Sequence, residues 1–134
     1  MFKKFILFLV LGVCCSLSLT AHLSSGPNHK QKAPKLTSAE IKDTKTRVKG
    51  TLESVKETYF VIQFFNNLQK EGDITEGNIL LGQIKVKTDH SGKASFTAYL
   101  PQTAYGSYIS ATATRQRDGA NKDSSEFSKN VKVH

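Results

Sequence analysis

Histidine moves protons readily near neutral pH, and this chain has four: His22, His29, His90 and His134. Two lie in a polar stretch near the N-terminus, one sits between Asp89 and Ser91, and one is the last residue. No serine or carboxylate recurs beside them at a spacing that would build a nucleophile, a base and an orienting acid. His90 reads as a turn residue, because Asp89, Ser91 and Gly92 supply turn chemistry around it. Both cysteines, Cys14 and Cys15, fall in an N-terminal apolar run, which leaves zinc only isolated imidazoles. Asp73 with Glu76, and Asp118 with Asp123, offer hard oxygen donors to calcium but lack the alternating acidic spacing of a dedicated loop. The sequence therefore predicts no catalytic residue, no metal site and no cofactor.

Binding chemistry is better represented. Arg115, Arg117 and Lys122 form one basic set, and Lys85, Lys87 and Lys93 another, while Tyr59, Phe65, Tyr99 and Tyr108 fall on outward parity of their strands. If the aromatics cluster they make an amphipathic docking patch, and the cations suit an acidic polysaccharide or protein. Lysines on exposed strands also guard sheet edges against association, whatever the ligand. The formal charge of +8 dilutes along the chain: Lys3, Lys4, Lys30, Lys32 and Lys35 precede the domain, leaving 14 basic residues against all 11 acidic ones, a net of +3. These cations are interspersed with Asp and Glu rather than gathered with aromatics on one stripe, which argues against a nucleic-acid partner.

The elements that must position these residues begin behind an export signal. Lys3-Lys4 followed by Phe5 to Val13 has the charged and apolar regions of a secretory signal, with residues 1–21 removed after Ala21. The apolar run is shorter than the roughly 20 residues of a spanning helix, so no membrane span is expected. Lipidation at Cys14 is the alternative, and Val13 before it is a poor fit to that signal. Residues 22–35, with Ser24-Ser25-Gly26-Pro27, read as a flexible linker, and residues 36–134 as a single domain with enough chain for one core.

From Leu36 onward apolar residues alternate with period two. Phe60, Ile62 and Phe64 oppose Tyr59, Val61, Gln63 and Phe65. Ile84 and Val86 alternate with lysines, Ala94 to Leu100 with polar residues, and Ile109, Ala111 and Ala113 with Ser110, Thr112 and Thr114. With Leu36–Lys42, Thr46–Glu53 and a last strand through Phe127, Val131 and Val133, seven strands are predicted, in two packed antiparallel sheets. Phe60, Ile62, Phe64, Phe96 and Phe127 are expected to share the core. Asp89 to Gly92 is expected to close a hairpin between its flanking strands, and residues around Gly72–Gly77 and Arg117–Gly119 to form two long polar loops.

In order along the chain, Gly50-Thr51-Leu52, Gln63-Phe64-Phe65, Leu81-Gly82, Thr88-Asp89 with Gly92 and Phe96, Ala111-Thr112-Ala113-Thr114 and Ser125-Glu126-Phe127-Ser128 resemble the Ig-like repeat of large secreted bacterial proteins, often found beside right-handed parallel β-helix domains. The resemblance implies a seven-stranded Ig-like β-sandwich in a secreted or surface setting, and it supplies no catalytic residues. The chain departs from the repeat at Arg115 to Ser124, a longer and more basic stretch than expected, and in having no Cys after the Phe-Phe strand.

These readings point to a monomeric, non-enzymatic, secreted or cell-surface Ig-like module engaging a protein or glycan partner in adhesion. Any specific ligand is expected at Arg115, Arg117 and Lys122, or else on the face bearing Tyr59, Tyr99 and Tyr108. A carbohydrate-active accessory domain, or a secreted inhibitor or effector using the 115–124 stretch, is the alternative from another class.

Overall fold

Alternating apolar residues commit a strand to one buried face, and burial follows that parity over Lys45–Glu53 and Lys93–Pro101, whereas residues 109 to 114 are buried on both faces. The computed structural model describes residues 31–70, 73–117 and 120–134. Strands run β1 Lys35–Lys42, β2 Lys45–Glu53, β3 Tyr59–Lys70, β4 Asp73–Lys87, β5 Lys93–Pro101, β6 Tyr108–Arg117, β7 Ala120–Ser124 and β8 Val131–Lys132. They form two antiparallel sheets, ordered β1-β2-β5 and β4-β3-β6-β7, with β8 also on β6. The chain changes sheet between β2 and β3, β4 and β5, and β5 and β6, so the two antiparallel sheets are linked three times, as in a sandwich.

Inward parity places Phe60, Ile62, Phe64, Ile109, Ala111 and Ala113 of the larger sheet against Val48, Leu52, Phe96, Ala98 and Leu100 of the smaller. Ala111 and Ala113 are fully buried, and their small side chains leave room for the facing layer. Phe64 and Phe96 meet edge-to-face with ring centroids 5.9 Å apart, a geometry that adds to simple burial. Gly50 makes room for this pair. A Cβ there would lie 2.7 Å from both Phe96 Cζ and the Lys35 carbonyl oxygen, so any side chain would displace the ring.

Three expectations are corrected. Asp89 to Gly92 is a tight turn, but the strands on either side do not pair: β4 joins β3 and β5 joins β2. Turn chemistry is local, whereas the choice of partner strand is made by distant apolar contacts. The two long loops are instead strand ends, since β3 and β4 continue to Lys70 and from Asp73, and β6 and β7 to Arg117 and from Ala120. Their polar composition hides them from pattern reading. Phe127 lies outside the shared core, 37% exposed, with its ring 5.2 Å from Phe65 on the outer face.

Among the described residues eight strand segments form, where the sequence predicts seven. β7 and β8 lie along the same edge of β6, separated by 125–130. Across that gap two serines replace the missing ladder. Ser128 donates its N–H to the Ala111 carbonyl (2.8 Å) while its Oγ accepts the Ala111 N–H (2.9 Å). Ser125 does the same with Ala113, at 2.9 and 2.9 Å. The Ala-Thr-Ala-Thr and Ser-Glu-Phe-Ser stretches are thus each other's partners, and Phe127 between the serines is turned outward.

The corners where the chain changes sheet are tied together. Thr58 N–H donates to Thr88 Oγ1 (3.0 Å), whose hydroxyl donates to the Val55 carbonyl (2.6 Å). Ser54 N–H donates to the Gly92 carbonyl (2.8 Å) and Glu57 N–H to that of Asp89 (3.1 Å). Asp89 Oδ1 accepts the N–H groups of Ser91 (2.8 Å) and Lys93 (2.9 Å). Gly92 has φ 82°, a conformation that costs glycine little, and a Cβ on it would strike the Ser54 carbonyl. At the opposite edge, Ala39 bridges Val133 in parallel. Of the stretch read as a linker, residues 31–35 are described: Lys35 opens β1, and Gln31 and Pro34 are buried against the domain. Among the described residues no helix is long and apolar enough to cross a membrane.

Replacing Phe64 by Ala is expected to cost about 3 to 5 kcal/mol, measured by urea denaturation, whereas Tyr99→Ala on an exposed face should stay within about 0.5 kcal/mol. Ser128→Ala leaves a buried N–H without its acceptor and should cost about 1 to 3 kcal/mol; a loss no larger than that of Ser91→Ala would contradict the two-pronged clamp. The N–H groups of Lys93 and Ser91, in that order of effect, hold the Asp89 carboxyl below its ordinary value of 3.8. Its contribution to stability is therefore complete above pH 3.8 and lost as the pH falls through the lower folded-state value. The stability difference between the wild type and Asp89→Asn should shrink on acidification below that point, as followed by thermal melts against pH.

Candidate functional site

The outer face of the larger sheet is set by the strand pairing. Tyr59 pairs with Lys87, Val61 with Lys85 and Thr114, and Gln63 with Gln83 and Thr112. Phe65, across a bulge in the ladder, pairs with Leu80 and Ser110. Directly paired residues share a face, so these side chains form rows across β4, β3 and β6. At one end the Tyr59 ring, 47% exposed, lies under two ammonium groups, with Lys85 Nζ 4.8 Å and Lys87 Nζ 5.3 Å from its centroid. Both distances are within cation–π range.

The middle of the face is polar. Gln63 donates from Nε2 to Gln83 Oε1 (3.1 Å), and Thr114 shares a hydrogen bond with Ser124 (2.8 Å). The far end is apolar, with Leu80 exposed and Phe65 against Phe127. Beyond it, Asn67 is fully buried and donates to Ser110 Oγ (2.9 Å) and Asn130 Oδ1 (2.6 Å), which anchors the segment carrying Phe127. Sequence reasoning missed this apolar end and its buried amide, because Phe127 shares the alternation of core residues and only the spacing of Ser125 and Ser128 hints that it turns outward.

The residues expected to bind do not all meet here. Tyr59 is at the basic end of the face. Tyr108 is on the same face, half-buried, but its register opposite Asn67 puts it about 26 Å along the strands from Tyr59. Tyr99 is on the other sheet, in a row with Arg47 and Glu40. Arg47 is ion-paired there with Glu40, whose hydrogen bond is the main cause of its raised pKa. A single tyrosine patch does not form.

The basic stretch is divided as well. Arg115 pairs in register with Phe60, so it is half-buried on inward parity at the end of the sandwich, and its Nε is enclosed without a hydrogen-bond partner among the described residues. Arg117 Nη2 lies 3.8 Å from Asp123 Oδ2 across the β6–β7 hairpin. Lys122 falls in β7, and its side chain lies outside the described residues. Lys93, grouped with Lys85 and Lys87 on the sequence, is on the smaller sheet and 3.8 Å from Glu53. Among the described carboxylates none is ion-paired with Lys85 or Lys87.

Of the calcium candidates, Asp123 is engaged with Arg117, and the side chains of Asp73, Glu76 and Asp118 lie outside the described residues. Among the described residues no group of three His, Cys, Asp or Glu side chains is placed to hold a metal ion. His90 is exposed on the corner between the sheets. A groove of about 530 Å³ runs between Ala33–Leu36 and Phe127–Val131, away from the basic end of the face. No protein-family model matches the chain, and no curated protein matches it.

Proposed function

We propose that the chain is a non-catalytic binding module, exported and acting at a cell surface, that takes an acidic protein or glycan partner on the outer face of its larger sheet. The observation that carries this reading is the Tyr59 ring flanked by Lys85 and Lys87, cations without described carboxylate partners. Charges already matched within a protein gain little from a ligand, whereas unmatched ones on a low-curvature face attract it and set its association rate. The exposed ring offers a stacking surface beside them. Gln63 and Gln83 continue the face with donors and acceptors suited to sugar hydroxyls or a peptide backbone.

Arg117 is a weaker candidate than the sequence suggests, since Asp123 already faces it. The resemblance to an Ig-like surface repeat, and the Lys3-Lys4 and Phe5–Val13 export signal, support the secreted or surface setting. An accessory role in carbohydrate processing would use the same face.

The test is binding of the exported protein to surface extracts and to uronic-acid and sulfated polysaccharides, as a function of salt. Lys85→Glu with Lys87→Glu is expected to weaken binding at least about tenfold, or 1.4 kcal/mol, and to flatten its salt dependence. Arg47→Glu on the opposite sheet should change it little. Equal losses in both variants would show that binding follows net charge and not this face.

A further inference from the structure

The ladder between β3 and β4 slips by one residue beside Phe65. Gly82 pairs with Phe64 but Leu80 with Phe65, which leaves Leu81 as the extra residue. A bulge of this kind re-aims the side chains beyond it. Leu81 packs against the core. Leu80 has the sequence parity of the inward residues Ile84 and Val86, yet it comes to the outer face beside Phe65 and is 53% exposed. Phe127 reaches the same place by a separate route. Ser125 and Ser128 hold their segment to β6, and the ring between them turns outward against Phe65. Two independent departures from a regular ladder thus gather large apolar side chains on the surface, where exposed apolar patches mark contact with a partner.

We infer that this is the apolar half of a two-part docking surface, and that the partner is a segment of another protein carrying carboxylates at one end and a large aliphatic or aromatic side chain at the other. The inference rests on the outer face being the binding surface, and it narrows the partner there from protein or glycan to protein. Charge sets the direction of the segment. Lys85 and Lys87 flank Tyr59 and are ion-paired with none of the described carboxylates, so the acidic end lies there. Phe65 is six residues further along β3, about 20 Å away, and Gln63 and Gln83 lie between with polar groups for a backbone. The carboxylates and the apolar side chain of the partner are therefore about six residues apart in an extended segment, or about 13 in a helix.

An acidic polysaccharide satisfies only part of this surface. Its charges suit the lysines and a sugar ring stacks on a flat aromatic face such as Tyr59. Phe65 and Phe127 meet edge-to-face at 79° with the aliphatic Leu80 beside Phe65, which is no platform for a sugar but a place for an apolar side chain to be buried.

Selection of random peptides of about 16 residues, displayed on phage, against the immobilised protein tests the inference, with a sulfated polysaccharide as the second probe. The wild type should enrich peptides that join acidic residues to a large apolar one at either separation. Leu80→Ser, checked by thermal melting to be folded, should weaken a selected peptide at least about tenfold and leave polysaccharide binding unchanged, and Leu80→Met should restore the peptide. Lys85→Glu with Lys87→Glu should weaken both probes. No enrichment, enrichment of acidic peptides without an apolar residue, or equal peptide binding by Leu80→Ser would each overturn the inference and leave the reading of the face standing. Binding of the probes that is indifferent to Lys85 and Lys87 would instead remove that reading, and the inference with it.

Discussion

The contact between Phe64 and Phe96, made across the two sheets over the space that Gly50 leaves open, fixes how the layers sit on each other. A strand has two faces, and burying one against a second layer is what makes a small β-domain stable. Once Phe64 and Phe96 are on the inside, parity assigns every other residue of β3 and β5. Phe60 and Ile62 follow Phe64 inward, and Tyr59, Gln63 and Phe65 are put on the opposite face. The candidate binding face is therefore the reverse side of the core, and its residue order is set by the register that the core requires.

A second constraint decides where that face ends. The β2–β3 and β4–β5 corners bind each other through Thr58, Thr88, Ser54 and Gly92, and Tyr59 and Lys87 are the first and last strand residues beside that junction. Holding the corners side by side brings the start of β3 against the end of β4, which is why two lysines two residues apart can both reach one ring. The serine clamp does comparable work at the other end. It keeps the 125–128 segment on β6 without a regular ladder and frees Phe127 to cover Phe65.

Period-two alternation in Phe60–Phe64, Ala94–Leu100 and Ile109–Ala113 was enough to read the core strands and the two-layer architecture from sequence, because the apolar parity is the one packed between the sheets, although Val61, Ser110 and Thr112 on the other parity are buried as well. It failed where backbone pairing alone makes the strand: Ala120–Ser124 and the start of β4 have no apolar alternation, so hairpins read as loops. Phe127 failed for the opposite reason, having a core-like residue type on an edge segment whose hydrogen bonds come from side chains. Within the candidate site, the outward parity of Tyr59 was legible, as were the basic residues beside it. Their grouping was not, since the turn at Asp89–Gly92 reads as a hairpin that would unite Lys85 and Lys87 with Lys93. Only the distant choice of strand partners separates them.

The proposed recognition uses the reverse side of the larger sheet's core. Amide hydrogen exchange of the protein, with and without an acidic polysaccharide, tests this directly. Protection on binding should concentrate in β3 and β4 around Tyr59, Gln63, Lys85 and Lys87 and leave β1, β2 and β5 unchanged. Protection confined to the Glu40, Arg47 and Tyr99 row, with β3 and β4 unaltered, would contradict it.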